Sequence, residues 1–213
     1  MTNFTKSIYR SRTFGHLVTS LLSVRTLFRC RWLCVLLMAM TFVIAGGDTL
    51  QAQNDQSQMI NREHQIKAAY LYNFARYIQW PKDTFANKKS PFIIGVVGKD
   101  PIVKDLQKVA KTKTIDDHPI VIKQFNIAKE ITPCQILFFS PTLDPYVQEK
   151  AIQKMVGKNV LLVGQTSNFL DMGGGIGFVV NQNRIRLVID LESVQRQKLK
   201  ISAKLLRVAK VLD

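Results

Sequence analysis

Three unbroken apolar runs constrain this chain more than any other feature. Phe92-Ile93-Ile94-Gly95-Val96-Val97 is followed by Gly98-Lys99-Asp100-Pro101, Gln135-Ile136-Leu137-Phe138-Phe139-Ser140 is entered through Pro133-Cys134, and Asn159-Val160-Leu161-Leu162-Val163-Gly164 follows Gly157. Each has the length of a strand and lacks polar alternation, which is the pattern of a strand covered on both faces. Pro119 to Phe125 reads as a fourth strand. Helical segments lie between: Ile102 to Lys111, with Asp100 and Pro101 placed to cap and start it, and Asp144 to Val156, ended by Gly157. Buried strands joined by short helical crossovers predict an α/β fold, a mostly parallel sheet with helices on both faces.

The flanks read differently. Ile60 to Trp80 predicts a helix stopped by Pro81, with Ile66, Ala69, Tyr70, Asn73, Phe74, Tyr77 and Ile78 at helical spacing in one apolar, aromatic stripe. Near the other end, Ile176 to Val180 and Arg184 to Asp190 flank Asn181-Gln182-Asn183. In the second of these, Arg184, Arg186 and Val188 alternate with Ile185, Leu187 and Ile189, which predicts an antiparallel hairpin with one wet face at the sheet edge. Leu191 to Leu212 reads as a long closing helix, basic and amphipathic. Ile201, Leu205, Val208 and Leu212 mark its apolar side.

The first fifty residues have the plan of an export signal. Arg25, Arg29 and Arg31 precede the apolar run Trp32 to Ala45, which is shorter than the ~20 residues needed to span a bilayer. The expected division is a signal peptide over 1–52, a flexible lead-in over 53–60 and one α/β domain over 61–213. Cleavage after Ala45, an uncleaved anchor and an organelle transit peptide are the alternatives. The chain carries 30 Lys and Arg against 15 Asp and Glu, a net +15. The leader holds six of those cations and one carboxylate, 6 − 1 = +5, which leaves +10 beyond it. The lysines are scattered and not interleaved with aromatic residues, so solvated faces explain them better than a nucleic-acid surface. Weak attraction to an anionic membrane or an acidic partner is compatible with the same charges. Beyond the leader only Cys134 remains, so no internal disulfide is expected, and burial is its plainest role.

Chemistry-bearing constellations are sparse. Gly173-Gly174-Gly175 precedes a strand rather than a helix, so it predicts a turn or bulge more than a phosphate loop. Gly98-Lys99-Asp100 and Gly164-Gln165-Thr166 follow strands and fall at the sheet's carboxyl edge, where open α/β folds hold small molecules. Lys99, Asp100, Gln165 and Thr166 are therefore the candidate ligand-binding residues. Cys134 with His64 or His118 has no local signature of a nucleophile and its base. No catalytic residue, metal ligand or cofactor is expected. The segment from Ala69 to Pro81 is denser in aromatics than a core stripe requires. Packing on the sheet is its plain reading, and a contact surface built from Tyr70, Tyr72, Phe74, Arg76 and Trp80, with Gly173, Gly174 and Gly175 as a second element, is the sharper one.

Lys67-Ala68-Ala69-Tyr70-Leu71-Tyr72-Asn73-Phe74 with Trp80-Pro81 resembles the opening motif of the YfiR family. The resemblance continues through Ile94 to Gly98, Pro119-Ile120, Cys134 to Phe138, Val160 to Gly164, Gly174 to Phe178 and Ile201 to Leu206. It covers almost all of residues 62–212 in order. It implies a periplasmic α/β protein without catalysis that restrains a membrane signalling protein, such as an inner-membrane diguanylate cyclase bound through its periplasmic domain, and so affects cyclic di-GMP. A homodimer is implied too, with no nucleic-acid partner. Regulation by intramolecular disulfides is not implied for a chain with one cysteine beyond its leader.

Overall fold

The computed structural model describes residues 47–87, 89–182 and 184–212. The chain divides into two units, Met1–Gln56 and Ser57–Asp213. The basic and apolar residues expected to form an export signal lie outside the described residues up to position 46. Helix α1, Gly47–Tyr77, takes in the stretch expected to be a flexible lead-in. That stretch holds no Gly or Pro, and its glutamines are good helix formers.

The second unit is built on an eight-stranded mixed sheet. Its strands are β2 (Phe92–Val97), β3 (Thr114–Ile115), β4 (His118–Phe125), β5 (Ile136–Phe139), β6 (Leu161–Gly164), β7 (Ile176–Asn181), β8 (Arg184–Asp190) and β10 (Ala209–Leu212), in the order β10-β8-β7-β6-β5-β2-β4-β3. The pairs β4–β2, β2–β5, β5–β6, β6–β7 and β8–β10 are parallel, and β7–β8 and β3–β4 are antiparallel. A separate two-stranded ribbon pairs β1 (Ile78–Gln79) with β9 (Lys200–Ile201).

Each central strand feeds two cores, as an unbroken apolar run requires. Ile136 and Phe138 of β5 and Leu161 and Val163 of β6 enter the first core; Leu137, Phe139 and Leu162 enter the second. The first core packs under α1 and under α2 (Ile102–Thr112), which contributes Ile102 and Leu106. The second packs under α3 (Pro145–Met155) through Ala151, Ile152 and Met155. Asp144 caps α3 by accepting the amides of Tyr146 (2.9 Å) and Val147 (3.2 Å). Helices therefore lie on both faces. From β2 the chain passes through α2 to β4 on one side, then returns to β5 on the other, which puts the reversal of strand order between β2 and β5.

Three expectations are corrected. The long closing helix is absent: Leu191 to Leu212 forms the short helices α4 (Leu191–Arg196) and α5 (Ala203–Leu206) and the strands β9 and β10. Lys198 takes φ +57 and closes α4, and β10 then pairs Ala209 with Leu187 and Leu212 with Asp190 along an otherwise open edge. The hairpin β7–β8 consequently sits one strand in from the edge. The stripe read on α1 is inward only in part: Phe74 and Ile78 are buried and Tyr70 and Tyr77 pack half-buried against the first core, but its first members are not. The face packed on the sheet carries Ala68, Leu71, Phe74 and Ala75, continued by Ile78, whereas Ile66 and Ala69 are exposed.

Candidate functional site

Helix α1 is apolar on two sides. Its inward side is set by Leu71, Phe74 and Ala75, all in the first core. Its outward side runs Ile66, Ala69, Tyr70, Asn73 and Tyr77, a repeat of three and four residues that follows one line along a helix. Ile66 is 39% exposed, and Tyr70 and Tyr77 are half-buried. Tyr70 leans inward, its ring 6.1 Å from Phe74 and 5.9 Å from Phe178. Arg76 is exposed and lies 5.8 Å from the half-buried ring of Tyr72, a cation–π pair that holds both side chains in place. Tyr70, Tyr72 and Tyr77 also pack against the first core with part of each ring left at the surface, so only Ile66 and Ala69 of this line are exposed.

Of the residues proposed as partner contacts, Tyr70, Tyr72, Arg76 and Trp80 reach the surface. Trp80 is anchored by its indole N–H, which donates to the Ala75 carbonyl (3.3 Å), and by an edge contact with Phe92 at 5.4 Å. Phe74 is fully buried and offers nothing to a partner. Gly174 and Gly175 are also buried. Gly164 and Gly174 are the two places where the Phe169 ring presses against bare backbone: a Cβ would meet ring atoms at 2.5 Å and 2.2 Å respectively. Of the three adjacent glycines, Gly173, at φ +97, is the one that uses glycine's freedom for a turn. Gly174 thus packs on the second core and Gly175 on Val194 and Leu161 of the first, which leaves Gly173, half-buried, as the one of the three nearest the surface.

A polar cluster lies at the carboxyl edge of the sheet, where the strand order reverses. Asp100, after β2, accepts the Ile102 amide on Oδ1 (2.9 Å), and His64 Nδ1 of α1 stands 3.6 Å from the same oxygen. His64 Nδ1 is buried without a hydrogen-bond partner. One turn along α1, the ammonium of Lys67, only 2% exposed, donates to Glu63 and to Gln165 after β6. Buried charge is tolerated only when paired in this way. Asp100 and Gln165 are thus brought together under one turn of α1. Thr166 belongs to the other side, where it accepts from Gln148 of α3 (2.9 Å). Lys99 is exposed, and only its carbonyl is used, by Ser140 (3.2 Å). Glu63 and Lys67 carry no site expectation in the sequence, and His64, weighed there only beside Cys134, stands instead beside Asp100. A lysine at an inward helical position is the signal that could have shown them.

The remaining reactive groups are spent on structure. Cys134 is buried in the second core, and burial pushes its thiol up to about 12, against a weaker lowering by Lys123 and the Gly95 backbone. His118 stacks on Phe85 at 4.1 Å and bonds the Ser90 carbonyl through Nδ1 (2.6 Å). Neither imidazole is paired with the thiol, and a thiol held protonated is a poor nucleophile. Among the described residues, no helix is long and apolar enough to cross a membrane. The family model described as YfiR/HmsC-like matches residues 64–210. No curated protein matches the chain.

Proposed function

The chain belongs to the YfiR/HmsC-like family, and from that premise we propose that it works by contact: a non-enzymatic periplasmic regulator, exported behind a cleaved signal peptide, that binds and restrains a membrane signalling protein, a diguanylate cyclase or a sensor kinase. The observation that carries this reading is the outward side of α1, where Ile66 and Arg76 are exposed and Tyr70, Tyr72 and Tyr77, anchored on the first core, keep part of each ring at the surface. Aromatic and arginine side chains anchor interfaces because they bury large area with few torsions to freeze. Restraint requires only that the partner's inactive state be bound more tightly than its active one.

The test is genetic and chemical. Deleting the gene should raise cellular cyclic di-GMP or kinase output, and a Tyr72→Ala, Arg76→Glu variant that melts like the wild type should fail to restore it. A photo-crosslinking residue placed at Asn73 should trap a membrane protein in intact cells. Unchanged output after deletion, together with no crosslinked membrane protein, would sink the reading.

The polar cluster favours a second reading, a small-molecule-binding accessory protein. A buried, unbonded imidazole nitrogen beside a buried carboxylate at the strand-order reversal is the arrangement a polar ligand could complete. A melting-temperature rise with a metabolite, lost in Asp100→Asn, would support it by mass action.

A further inference from the structure

The far end of the sheet is bare on its outer side. Ile185, Leu187 and Ile189 of β8 pack on the first core, and Arg184, Arg186 and Val188 point the other way. Register puts Val179 of β7 beside Arg186 and Lys210 of β10 beside Val188, on that same side. The second core stops short of these strands. Together with Arg207 and Val208, they line an open groove of about 700 Å³.

Its chemistry is of one sign. Arg186, Arg207 and Lys210 line it, Arg184 stands next in line, and none of the four is in an ion pair with a described residue. Asp190 lies on the same side of β8, but its oxygens accept the Ser193 amide (2.9 Å) and hydroxyl (2.6 Å). Between the cations, Val179 is 45% exposed and Val208 66% exposed. Such a surface wants an anionic occupant that also brings apolar side chains. A second copy would set these arginines against each other. The chain's own first 46 residues carry six Lys and Arg and no Asp or Glu, so they are repelled as well. A bare small anion would leave the valines wet.

We propose that this groove docks an acidic, apolar peptide segment of a partner protein, its carboxylates on Arg186, Arg207 and Lys210 and its apolar side chains on Val179 and Val208. The proposal rests on the contact reading above but concerns a surface separate from α1, so the two can fail independently.

The probe is a short fluorescent peptide alternating Glu with Leu, titrated by anisotropy into the full chain. Binding should weaken steadily with salt. Arg186→Glu with Arg207→Glu, folded as judged by circular dichroism, should lose at least about tenfold in affinity, and Tyr72→Ala should leave it unchanged. The groove assignment is overturned if the wild type does not bind, if the reversed-charge variant binds as well, or if a Lys-for-Glu peptide binds equally. It is also overturned if vesicles containing phosphatidylglycerol bind through these arginines while the peptide does not, which would make the surface a membrane contact.

Discussion

Phe169 sits between two bare stretches of backbone, and that placement explains glycines that look like a loop. Alanine at 174 puts a methyl carbon 2.2 Å from a ring atom of a fully buried phenylalanine. Overpacking of this kind costs about 1–3 kcal/mol. Gly174→Ala should lower stability by that amount in urea unfolding, and by much less in a Phe169→Leu background. An equal cost in both backgrounds would show that the ring is not the reason. Cys134 gives a second residue-scale outcome. Its ordinary value of 9.0 is raised to about 12 by burial. The folded state therefore keeps the thiol neutral while the unfolded chain ionises. The stability that goes with neutrality is complete below about 9 and is lost as pH climbs towards about 12. Wild type should lose stability over that window faster than Cys134→Ala, and parallel curves for the two would contradict the burial described.

At the scale of elements, α1 shows why periodicity identifies a helix more surely than its inner side. Ile66, Ala69, Tyr70, Asn73 and Tyr77 form as regular a line as Ala68, Leu71, Phe74 and Ala75, and apolar spacing does not say which line meets the sheet. Packing distinguishes them. Leu71→Ala should cost about 2–5 kcal/mol in thermal or urea unfolding, whereas Ile66→Ala should stay within about 0.5 kcal/mol. Similar costs at both positions would mean that the outward line is not free. The C-terminal segment misleads for the opposite reason. Ile201, Leu205, Val208 and Leu212 recur at spacings of four, three and four, yet the segment is cut by Lys198 in the left-handed region and by Ser202, whose amide bonds the Tyr77 carbonyl (2.9 Å). A four-residue strand such as β10 is specified by the open edge of β8 rather than by its own letters, which is tertiary context overriding local pattern.

For the molecule as a whole, the central strands were legible because burial on both faces leaves no room for polar alternation. Phe92–Val97, Ile136–Phe139 and Leu161–Gly164 carry that signature in full. The polar cluster was half legible. Asp100 and Gln165 follow from the rule that strand carboxyl ends hold polar groups, but their partners Lys67 and His64 come from a helix distant in sequence, and no local pattern announces them. The basic groove was legible only as scattered charge, because its cations come from β8, from β10 and from the residues just before β10, brought together by a pairing the letters do not show. One arrangement reaches further than the rest. The helix whose later turns bring tyrosine rings to the surface presses, one or two turns earlier, an imidazole and an ammonium onto the strand ends beneath. A partner held on the rings and a ligand held at Asp100 would bear on one rod, and any coupling between them would act with the same factor in both directions.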